Sequence, residues 1–325
     1  MTRYNLGRTD LTVSPVGLGC WQFSQGKGLV GRYWDTLPQR QVTAIVRASL
    51  EGGVNWFDTA EVYGKGASER SLAAALDDVG PAREEYLIAD KWFPAFRFAG
   101  NIERSYPGRV ENLGGRSVDL HQIHQPFSLS SVEQQARELG KLVTARRVRA
   151  VGVSNFNEKR MRLAAATLWE QGVPLATNQM RYSLIDREIE RNGVLEAAEE
   201  LGVTVIAYSP LAQGILTGKF HGEERIEAKS GPRKHLRRFK PEGLARTEDL
   251  LARLRRIAEG HGASPAQVAL AWTVQFHGSR IVAIPGASSV TQARSNAKAM
   301  ELTLSTDELY ELAEAGSEAE KRLKG

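Results

Sequence analysis

The sequence contains a single cysteine, Cys20, among its 325 residues. No disulfide can form within the chain, and a reducing compartment, the cytoplasm, is the expected location. Residues 1–7 lack the basic start and apolar stretch of a signal peptide. No uninterrupted apolar run is long enough to cross a bilayer. We therefore expect a cytoplasmic protein with no membrane partner.

Metal-binding and nucleic-acid-binding patterns are scarce as well. The six histidines do not pair at ligand spacing and there is one thiol, so no metal site is predicted. The net charge of +5 raises the question of a polyanionic partner. Two basic clusters stand out: Arg146, Arg147 and Arg149, and then Arg233, Lys234, His235, Arg237 and Arg238. Neither cluster has interleaved aromatic residues or a recognition motif, so we expect no nucleic-acid partner.

Short apolar, often β-branched runs recur eight times along the chain, and each is followed by a helix-like stretch. The runs occupy residues 15–19, 54–57, 86–89, 118–123, 148–153, 175–178, 203–207 and 280–284. Several are apolar on both faces, which is typical of a buried parallel sheet. No linker or low-complexity segment divides the chain, so we expect one domain over residues 1–325. Eight strand–helix units over this length predict a closed (β/α)8 barrel, the TIM-barrel fold.

Local signals refine this prediction. Ser264-Pro265 is typical of a helix start, with serine as N-cap and proline at the first helical position. The helix from Leu195 to Leu201 should end at Gly202. Gly114-Gly115 is expected to interrupt the helix of the fourth unit. An N-terminal β-hairpin is predicted at residues 4–6 and 11–13, and extra helices and loops are expected at the C-terminal end.

The segment from Gly26 to Gly31 matches the dinucleotide-binding pattern GxGxxG. That pattern indicates a nucleotide site only when it lies between a strand and a helix. Here residues 32–38 follow, and their sequence is a poor helix start. We interpret the segment as a loop and not as the start of a Rossmann fold.

The active site of a (β/α)8 barrel lies where its strands end. The second predicted strand ends at Asp58 with Tyr63 in the following loop, the third ends at Lys91 and the fourth at His124. Each residue alone has an ordinary structural explanation, such as a helix cap, a packing residue or a solvated lysine. Together they predict an acid–base device. The phenol, with a reference pKa of ~10, would donate a proton, and a nearby ammonium would lower its pKa by ~1–3 units. The carboxylate would orient the lysine, and the imidazole would hydrogen-bond the substrate oxygen.

The segment around this tyrosine, residues 55–64 (NWFDTAEVYG), strongly resembles the aldo-keto reductase signature. The resemblance continues in residues 119–124, 152–156, 208–211, 214–219 and 284–288, in the order found in the family. It covers essentially the whole chain. It implies a (β/α)8 barrel that uses NADP(H) to reduce a carbonyl compound, an aldehyde or a ketone, to an alcohol.

The resemblance also implies a role for individual residues. Tyr63 matches the general acid, Lys91 the residue that lowers its pKa, Asp58 the partner of that lysine, and His124 the residue that orients the carbonyl. Ser154, Asn155 and Gln179 match the groups that hold the nicotinamide amide, and Tyr208 matches the aromatic residue that stacks on its ring. Trp21 lies in the first loop, where the family lines the cofactor and substrate pocket. The pyrophosphate loop corresponds to Ser209, Pro210, Leu211 and Lys219, and the adenosine end to Gly286, Ser288, Gln292 and Asn296.

Two positions depart from the family pattern. Many relatives carry a basic residue at the position of Gly286, where it contacts the 2′-phosphate, and a glutamate at the position of Ser295. The preference for NADPH over NADH therefore stays open at this point. The second basic cluster offers a compensation, because Arg233 and Arg238 follow Lys219 in a segment that could fold over the adenosine phosphate.

A second interpretation of the same fold is a regulatory subunit that binds NADP(H) with little turnover, as the β subunits of potassium channels do. In that branch the position of His124 is typically asparagine, so the histidine favours an enzyme. The aromatic residues near the site predict an aromatic-lined substrate entrance, with core packing as the alternative. These residues are Trp21, Phe23, Trp34, Trp92 and Phe93. The physiological substrate and the oligomeric state stay open.

Overall fold

The computed structural model describes residues 2–221 and 236–324. Two antiparallel strands come first in the chain: β1 (Tyr4–Asn5) and β2 (Thr12–Val13). The strands of the main sheet follow: β3 (Leu18–Gly19), β4 (Trp56–Asp58), β5 (Leu87–Trp92), β6 (Leu120–Ile123), β7 (Ala150–Ser154), β8 (Leu175–Arg181), β9 (Thr204–Tyr208) and β10 (Ile281–Ile284). Every predicted run overlaps one of these strands, and the predicted hairpin is present.

Helices alternate with the strands of the main sheet. The helices in the described part of the chain are α1 (Gly28–Gly31), α2 (Gln39–Glu51), α3 (Ala67–Val79), α4 (Asn101–Asn112), α5 (Val132–Thr144), α6 (Glu158–Trp169), α7 (Val194–Leu201), α8 (Pro241–Ala245), α9 (Glu248–Gly260), α10 (Pro265–Gln275), α11 (Val290–Lys298) and α12 (Thr306–Lys324). Among residues 2–221 and 236–324, no helix is long and apolar enough to span a membrane.

The strands β3 to β10 lie side by side in chain order, and each is parallel to its neighbours. Backbone hydrogen bonds close the sheet between its first and last strands. The N–H of Gly17 donates to the carbonyl of Ala283 over 2.8 Å, and the N–H of Ala283 donates to the carbonyl of Pro15 over 2.9 Å. The predicted (β/α)8 barrel is therefore confirmed.

Two apolar layers pack against the two faces of the barrel sheet. The larger layer fills the space between the strands and the outer helices, and includes Phe57, Ile88 and Trp92. The smaller layer fills the base of the barrel, where Trp56 and Ala89 pack with Leu6, Leu11 and Val13 of the hairpin region. The hairpin therefore closes the N-terminal end of the barrel, and the opposite end is available for a site.

The two local helix signals are confirmed. Ser264 caps α10: its hydroxyl accepts from the N–H of Gln267 over 3.3 Å, and the Gln267 side chain accepts from the N–H of Ser264 over 2.8 Å. Helix α7 ends at Gly202, whose φ of 67° lies in the left-handed region that favours glycine.

Two local predictions are wrong. Gly114 and Gly115 do not interrupt a helix, because α4 ends at Asn112 and both glycines form the turn that follows, with φ of 65° and 83°. The GxGxxG segment is not entirely a loop, since its last four residues form the single turn α1. It follows a short 3₁₀ turn and not a strand, so it lacks the context of a dinucleotide-binding motif.

The extra helices that were expected at the C-terminal end are present. Helices α8 and α9 are inserted between β9 and α10, and α12 follows the last barrel helix. Helix α12 packs beside α9 and α10, and the indole of Trp272 donates to the carbonyl of Leu309 over 3.0 Å. Arg253 and Arg256 on α9 both pair with Glu311 on α12.

Candidate active site

The strand alternation of β4 and β5 places two charged residues inside the barrel. Side chains two residues apart on a strand share a face. Asp58 therefore shares the inner face with Trp56, and Lys91 shares it with Ala89, one layer above the apolar base. Lys91 is fully buried, and its ammonium donates to the carboxylate of Asp58 and to the carbonyl of Thr59, the latter over 2.9 Å.

The other oxygen of Asp58 is held by side-chain amides from the neighbouring strands. Gln179 on β8 donates to it over 2.9 Å, and Gln122 on β6 donates over 3.4 Å. The carboxylate is thus bound by one cation and two amide groups. A buried charge needs such partners, because they compensate for the loss of its hydration. Asp58 and Lys91 form a fixed ion pair at the floor of the barrel opening.

Tyr63 and His124 lie above this ion pair. The Nζ atom of Lys91 is 5.2 Å from the centroid of the Tyr63 ring. The ring of His124 stands edge-on to Tyr63, with 5.4 Å between centroids and 83° between planes. Both side chains are partly exposed to the barrel opening. The structure therefore brings together all four residues that the strand ends predicted.

Burial dominates the electrostatics of Tyr63. It raises the pKa of the phenol to about 12, because the lowering effect of Lys91 is smaller and Asp58 acts in the opposite direction. Lys91 therefore acts on this phenol in the predicted direction, since it lowers the pKa, but burial outweighs it and the net shift is upward. Tyr63 still holds its proton at neutral pH, as a proton donor must.

The charge states of Lys91 and His124 follow from the same surroundings. Burial acts to lower the pKa of Lys91, but Asp58 and Tyr63 outweigh it and raise this pKa above its ordinary value. Burial, together with the nearby Lys91 charge, holds the pKa of His124 well below its usual range. The site thus contains a charged ammonium and a neutral imidazole. The Nδ1 atom of His124 is buried without a hydrogen-bond partner in the described part of the chain.

A second group of polar residues lies at the ends of β7, β8 and β9. The hydroxyl of Ser154 donates to the carbonyl of Gln179 over 3.0 Å, and the amide of Asn155 donates to Ser154 Oγ over 3.1 Å. The hydroxyl of Tyr208 donates to Asn155 Oδ1 over 3.0 Å. Asn155 has a φ of 60°, a conformation that asparagine tolerates better than most residues. These contacts fix the side chains of Ser154, Asn155 and Tyr208 together, and Ser154 to the backbone of Gln179, at one edge of the opening.

A cleft of about 810 Å³ connects these groups. It is lined by sixteen of the predicted site residues: Trp21, Asp58, Tyr63, His124, Ser154, Asn155, Gln179, Tyr208, Ser209, Pro210, Leu211, Lys219, Gly286, Ser288, Gln292 and Asn296. Lys91 lies beneath the cleft and pairs with Asp58, which lines it. Trp34 and Phe93 also line the cleft, as the aromatic entrance predicted.

The far end of the cleft lies at the start of α11. The N–H of Ser288 donates to Gln292 Oε1 over 2.8 Å, and the amide of Asn296 donates to the carbonyl of Gly286 over 3.3 Å. A Cβ atom at position 286 would collide with the side chain of Gln22. The Oε1 atom of Gln22 is buried with no hydrogen-bond partner among the described residues.

Gln22 was missed by the sequence interpretation. It occupies the space beside Gly286, where many relatives carry a basic side chain, and it also lines the cleft. The sequence contains one signal that could have indicated Gln22: a glycine at position 286 together with a polar residue directly after Trp21. Arg181 was also missed. It lines the cleft at the end of β8, with its guanidinium carbon 5.8 Å from the Tyr208 ring centroid.

Some predicted residues lie elsewhere. Arg238 does not line the cleft, and its guanidinium donates to both oxygens of Asp186 over 3.0 Å and 3.2 Å. This pairing argues against a contact between Arg238 and the adenosine phosphate. Arg233 lies outside the described residues. Phe23 and Trp92 are fully buried in the layer between strands and helices, so the aromatic entrance does not include them.

Comparisons with known proteins agree with this fold. The sequence pattern of the Aldo/keto reductase family matches residues 15–316. An uncharacterized oxidoreductase of Mycobacterium tuberculosis is 39% identical over 303 residues, which cover 93% of this chain and 89% of that protein. The chain therefore belongs to the aldo/keto reductase family.

Solved structures show the same fold. The glycerol dehydrogenase of Gluconobacter oxydans superposes with a TM-score of 0.83 at 26% identity, covering 96% of this chain and 94% of that chain. An aldo/keto reductase from Klebsiella pneumoniae, crystallised with NADP and acetate, superposes with a TM-score of 0.72 at 24% identity, with the same coverage of 96% and 94%. At that identity the second likeness supports the fold.

Proposed function

We propose that the protein is an NADP(H)-dependent oxidoreductase that reduces the carbonyl of an aldehyde or ketone to an alcohol. One observation carries this proposal: Tyr63 and His124 face the cleft together, directly above the buried ion pair of Lys91 and Asp58. A phenol that keeps its proton and a neutral imidazole are the two hydrogen-bond donors that a carbonyl oxygen requires as it gains negative charge.

The residues of the cleft fit a nicotinamide cofactor. The opening extends from Tyr63 to the N-terminus of α11, where free N–H groups and the helix dipole favour a phosphate. Lys219 adds a positive charge to the lining. The amide oxygen of Gln22 is a buried acceptor that a ribose hydroxyl could satisfy. The NADP bound by the Klebsiella pneumoniae relative supports the choice of cofactor.

The bound cofactor would supply the hydride, and the protein would manage the proton. His124 and Tyr63 would donate hydrogen bonds to the carbonyl oxygen and so orient it. As negative charge develops on that oxygen, the Tyr63 hydroxyl would transfer its proton to it. The ammonium of Lys91 would stabilise the phenolate that remains, and Asp58 would keep that ammonium charged and in place. Ser154, Asn155 and Gln179 would hold the nicotinamide amide, and Tyr208 would stack on its ring.

The direct test is consumption of NADPH in the presence of aldehydes and ketones, followed by the loss of its absorbance. A suitable panel contains 4-nitrobenzaldehyde, methylglyoxal and an aromatic quinone. Turnover would support the proposed reaction and begin to define the substrate. Tight NADPH binding without turnover on any of these would favour the regulatory-subunit interpretation. Absence of NADPH binding would contradict the cofactor assignment.

The pH dependence should reflect the raised pKa of Tyr63. The reduction reaction needs the protonated phenol, so its kcat/KM should stay level from about pH 6 to about pH 9 and fall only as the pH approaches this pKa, about 12. Oxidation of the alcohol needs the phenolate, whose fraction rises by about tenfold per pH unit below the pKa. Rates in both directions, measured in buffers of constant ionic strength, check this. A reduction rate already half lost near neutral pH would contradict it.

Cofactor preference provides a separate prediction. We expect Arg233→Ala to weaken NADPH binding relative to NADH, because this arginine is the remaining basic candidate for the 2′-phosphate. We expect Arg238→Ala to leave the ratio of the two dissociation constants unchanged, since Asp186 already binds its guanidinium. Fluorescence titrations with both cofactors measure the ratio. If neither variant changes it, neither Arg233 nor Arg238 takes part in recognising the phosphate.

A further inference from the structure

Two buried carboxyl groups lie side by side behind the lysine of the active site. Asp90 precedes Lys91 on β5, so its side chain points away from the barrel interior and toward the outer helices. Glu69 projects from the first turn of α3. Both side chains are fully buried, and a hydrogen bond joins them. Ionised carboxylates accept hydrogen bonds but do not donate them, so this bond requires a proton on one of the two groups.

Each carboxyl group has one oxygen that is bound and one that is not. Asp90 Oδ1 accepts from the N–H of Lys91 over 2.7 Å. Glu69 Oε2 accepts from the amide of Asn112 over 3.0 Å and lies 3.3 Å from Nη1 of Arg109. The remaining oxygens, Asp90 Oδ2 and Glu69 Oε1, are buried and have no donor among the described residues. A proton shared by the two groups would give both oxygens the partner that they lack.

One largely buried cation serves this pair together with a third carboxylate. Nη1 of Arg109, on α4, lies 3.3 Å from Glu69 and 3.3 Å from Glu61, which belongs to the loop before α3. Arg97 also pairs with Glu61, but its side chain is 39% exposed and therefore screened by water. The ammonium of Lys91 lies on the inner face of the barrel in its own ion pair. The charge of Arg109 can balance one ionised carboxylate of the pair, and not two.

Two other titratable groups near the pair, His121 on β6 and Tyr106 on α4, are uncharged. Their rings are in contact, with 5.7 Å between centroids. Burial lowers the pKa of His121 to about 3 and raises the pKa of Tyr106. Burial also raises the pKa of both members of the pair, and the charge of Asp90 raises the pKa of Glu69 further, to about 9. Glu69 is therefore the group that holds the proton at neutral pH.

The pair contacts the backbone of Lys91 at a place where the sheet does not. Asp58, the last residue of β4, lies opposite Ala89, so Lys91 extends beyond the paired part of β4. The carbonyl of Lys91 accepts from the N–H of Glu61 over 3.3 Å, and its N–H donates to Asp90. The carboxylate of Asp90 thus replaces a strand partner for this N–H, at the residue whose ammonium lies beneath the cleft.

We propose that Glu69 and Asp90 share one proton, and that this pair positions Lys91 for the proposed carbonyl reduction. The inference rests on the proposed function only for the role of Lys91. Asp90 is a positioning residue, because it acts through the backbone of Lys91 and lines no part of the cleft. The proton on Glu69 removes the repulsion between two adjacent buried charges that would otherwise act against this hydrogen bond.

The pH dependence of unfolding tests the shared proton. The pKa of Glu69 is higher in the folded protein than in the unfolded chain, so unfolding releases a proton and stability falls as the pH rises toward about 9. Between about pH 6.5 and about pH 8.5, the unfolding equilibrium constant should rise up to about tenfold more per pH unit in the unaltered protein than in Glu69→Gln. Urea denaturation at each pH measures this slope.

Glu111→Gln is the matched control for the unfolding experiment. It makes the same chemical change at an exposed position of α4, so it should keep the slope of the unaltered protein. Asp90→Asn should lose the additional slope as Glu69→Gln does, because no second carboxyl group then remains to hold the proton on Glu69. If Glu69→Gln keeps the slope of the unaltered protein, the pair holds no proton and the proposal is wrong.

Two substitutions of Asp90 test the positioning of Lys91. Asp90→Asn keeps an oxygen for the N–H of Lys91, whereas Asp90→Ala removes it. We expect Asp90→Ala to lower kcat for carbonyl reduction by about ten- to hundredfold, as for a displaced site residue, and to leave the NADPH dissociation constant unchanged. Asp90→Asn should restore kcat at pH 7. Hydrogen exchange of the Lys91 amide should become faster in Asp90→Ala and stay slow in Asp90→Asn.

The outcomes separate this pair from the proposed reaction. If the unaltered protein reduces no carbonyl compound, the proposed function fails, while the unfolding slope and the exchange of the Lys91 amide still test the pair. Unchanged exchange in Asp90→Ala would show that Asp90 does not hold Lys91. If Asp90→Ala does not fold, Asp90→Asn decides, because it should keep both turnover and slow exchange, and loss of either would overturn the positioning role.

Discussion

Replacing Tyr63 by phenylalanine is expected to reduce kcat for carbonyl reduction by about 10²–10⁴-fold, the contribution typical of a positioned general acid. The substitution removes one oxygen and leaves the ring in place against Trp21 and His124. The ion pair of Lys91 and Asp58 and the polar residues at the other strand ends are untouched. Cofactor affinity should therefore stay close to that of the unaltered protein.

The measurement is a pair of experiments on the same preparation: the rate of NADPH oxidation with an aldehyde, and a fluorescence titration with NADPH. Tyr310→Phe is the control, because it makes the same chemical change on the exposed side of α12, and it should alter neither value. Equal loss of turnover and cofactor binding in Tyr63→Phe would indicate misfolding. Turnover close to that of the unaltered protein would exclude Tyr63 as the acid.

The buried charges explain why this site was visible in the sequence. Polar residues at the ends of otherwise apolar strands are costly to bury, so they call for a partner or a function. Asp58 and Lys91 lie near the C-terminal ends of β4 and β5, and the alternation of side chains along these strands puts both on the inner face. The barrel topology had already predicted that Asp58 and Lys91 lie close together. The resemblance to the family signature then implied a role for each of them.

The same alternation could have corrected one prediction in advance. Trp92 follows Lys91 directly on β5, so a lysine that points into the barrel requires a tryptophan that points toward the helices. The structure places Trp92 there, with its indole donating to Asn101 on α4 over 3.0 Å. Trp92 was predicted at the substrate entrance because it is next to Lys91 in the sequence. Neighbouring residues on a strand, however, point to opposite faces of the sheet.

Other features depend on contacts between distant parts of the chain and had no local signal. Arg238 belongs to a basic cluster in sequence, yet its partner is Asp186, 52 positions earlier. The collision between a side chain at Gly286 and Gln22 joins the last barrel strand to the first loop. The pKa of Tyr63 likewise depends on how deeply the surrounding protein buries the phenol. The prediction from the sequence used only the reference pKa and one neighbouring charge, so it did not include this effect.

Lys91→Met gives the largest expected effect on stability. The substitution keeps the length and apolar stem of the side chain but leaves the carboxylate of Asp58 buried without its cation. The amides of Gln179 and Gln122 remain as donors, and they only partly replace the ammonium. Breaking a buried ion pair in this way costs about 3–5 kcal/mol in the free energy of unfolding. Urea denaturation followed by circular dichroism measures the loss. Turnover should also fall steeply, because the phenolate of Tyr63 loses its nearest positive charge.

Adding Asp58→Asn to Lys91→Met separates the two roles of the ion pair. The double variant no longer buries an uncompensated charge, so it should recover much of the free energy of unfolding that the single variant loses. It should not recover turnover, since no cation remains beneath Tyr63. Recovery of both would show that Lys91 acts on the reaction only by keeping the barrel folded. If Lys91→Met alone is as stable as the unaltered protein, the charge of Asp58 is either compensated by its amide donors or removed by protonation, and the ion pair would then serve the chemistry and not the fold.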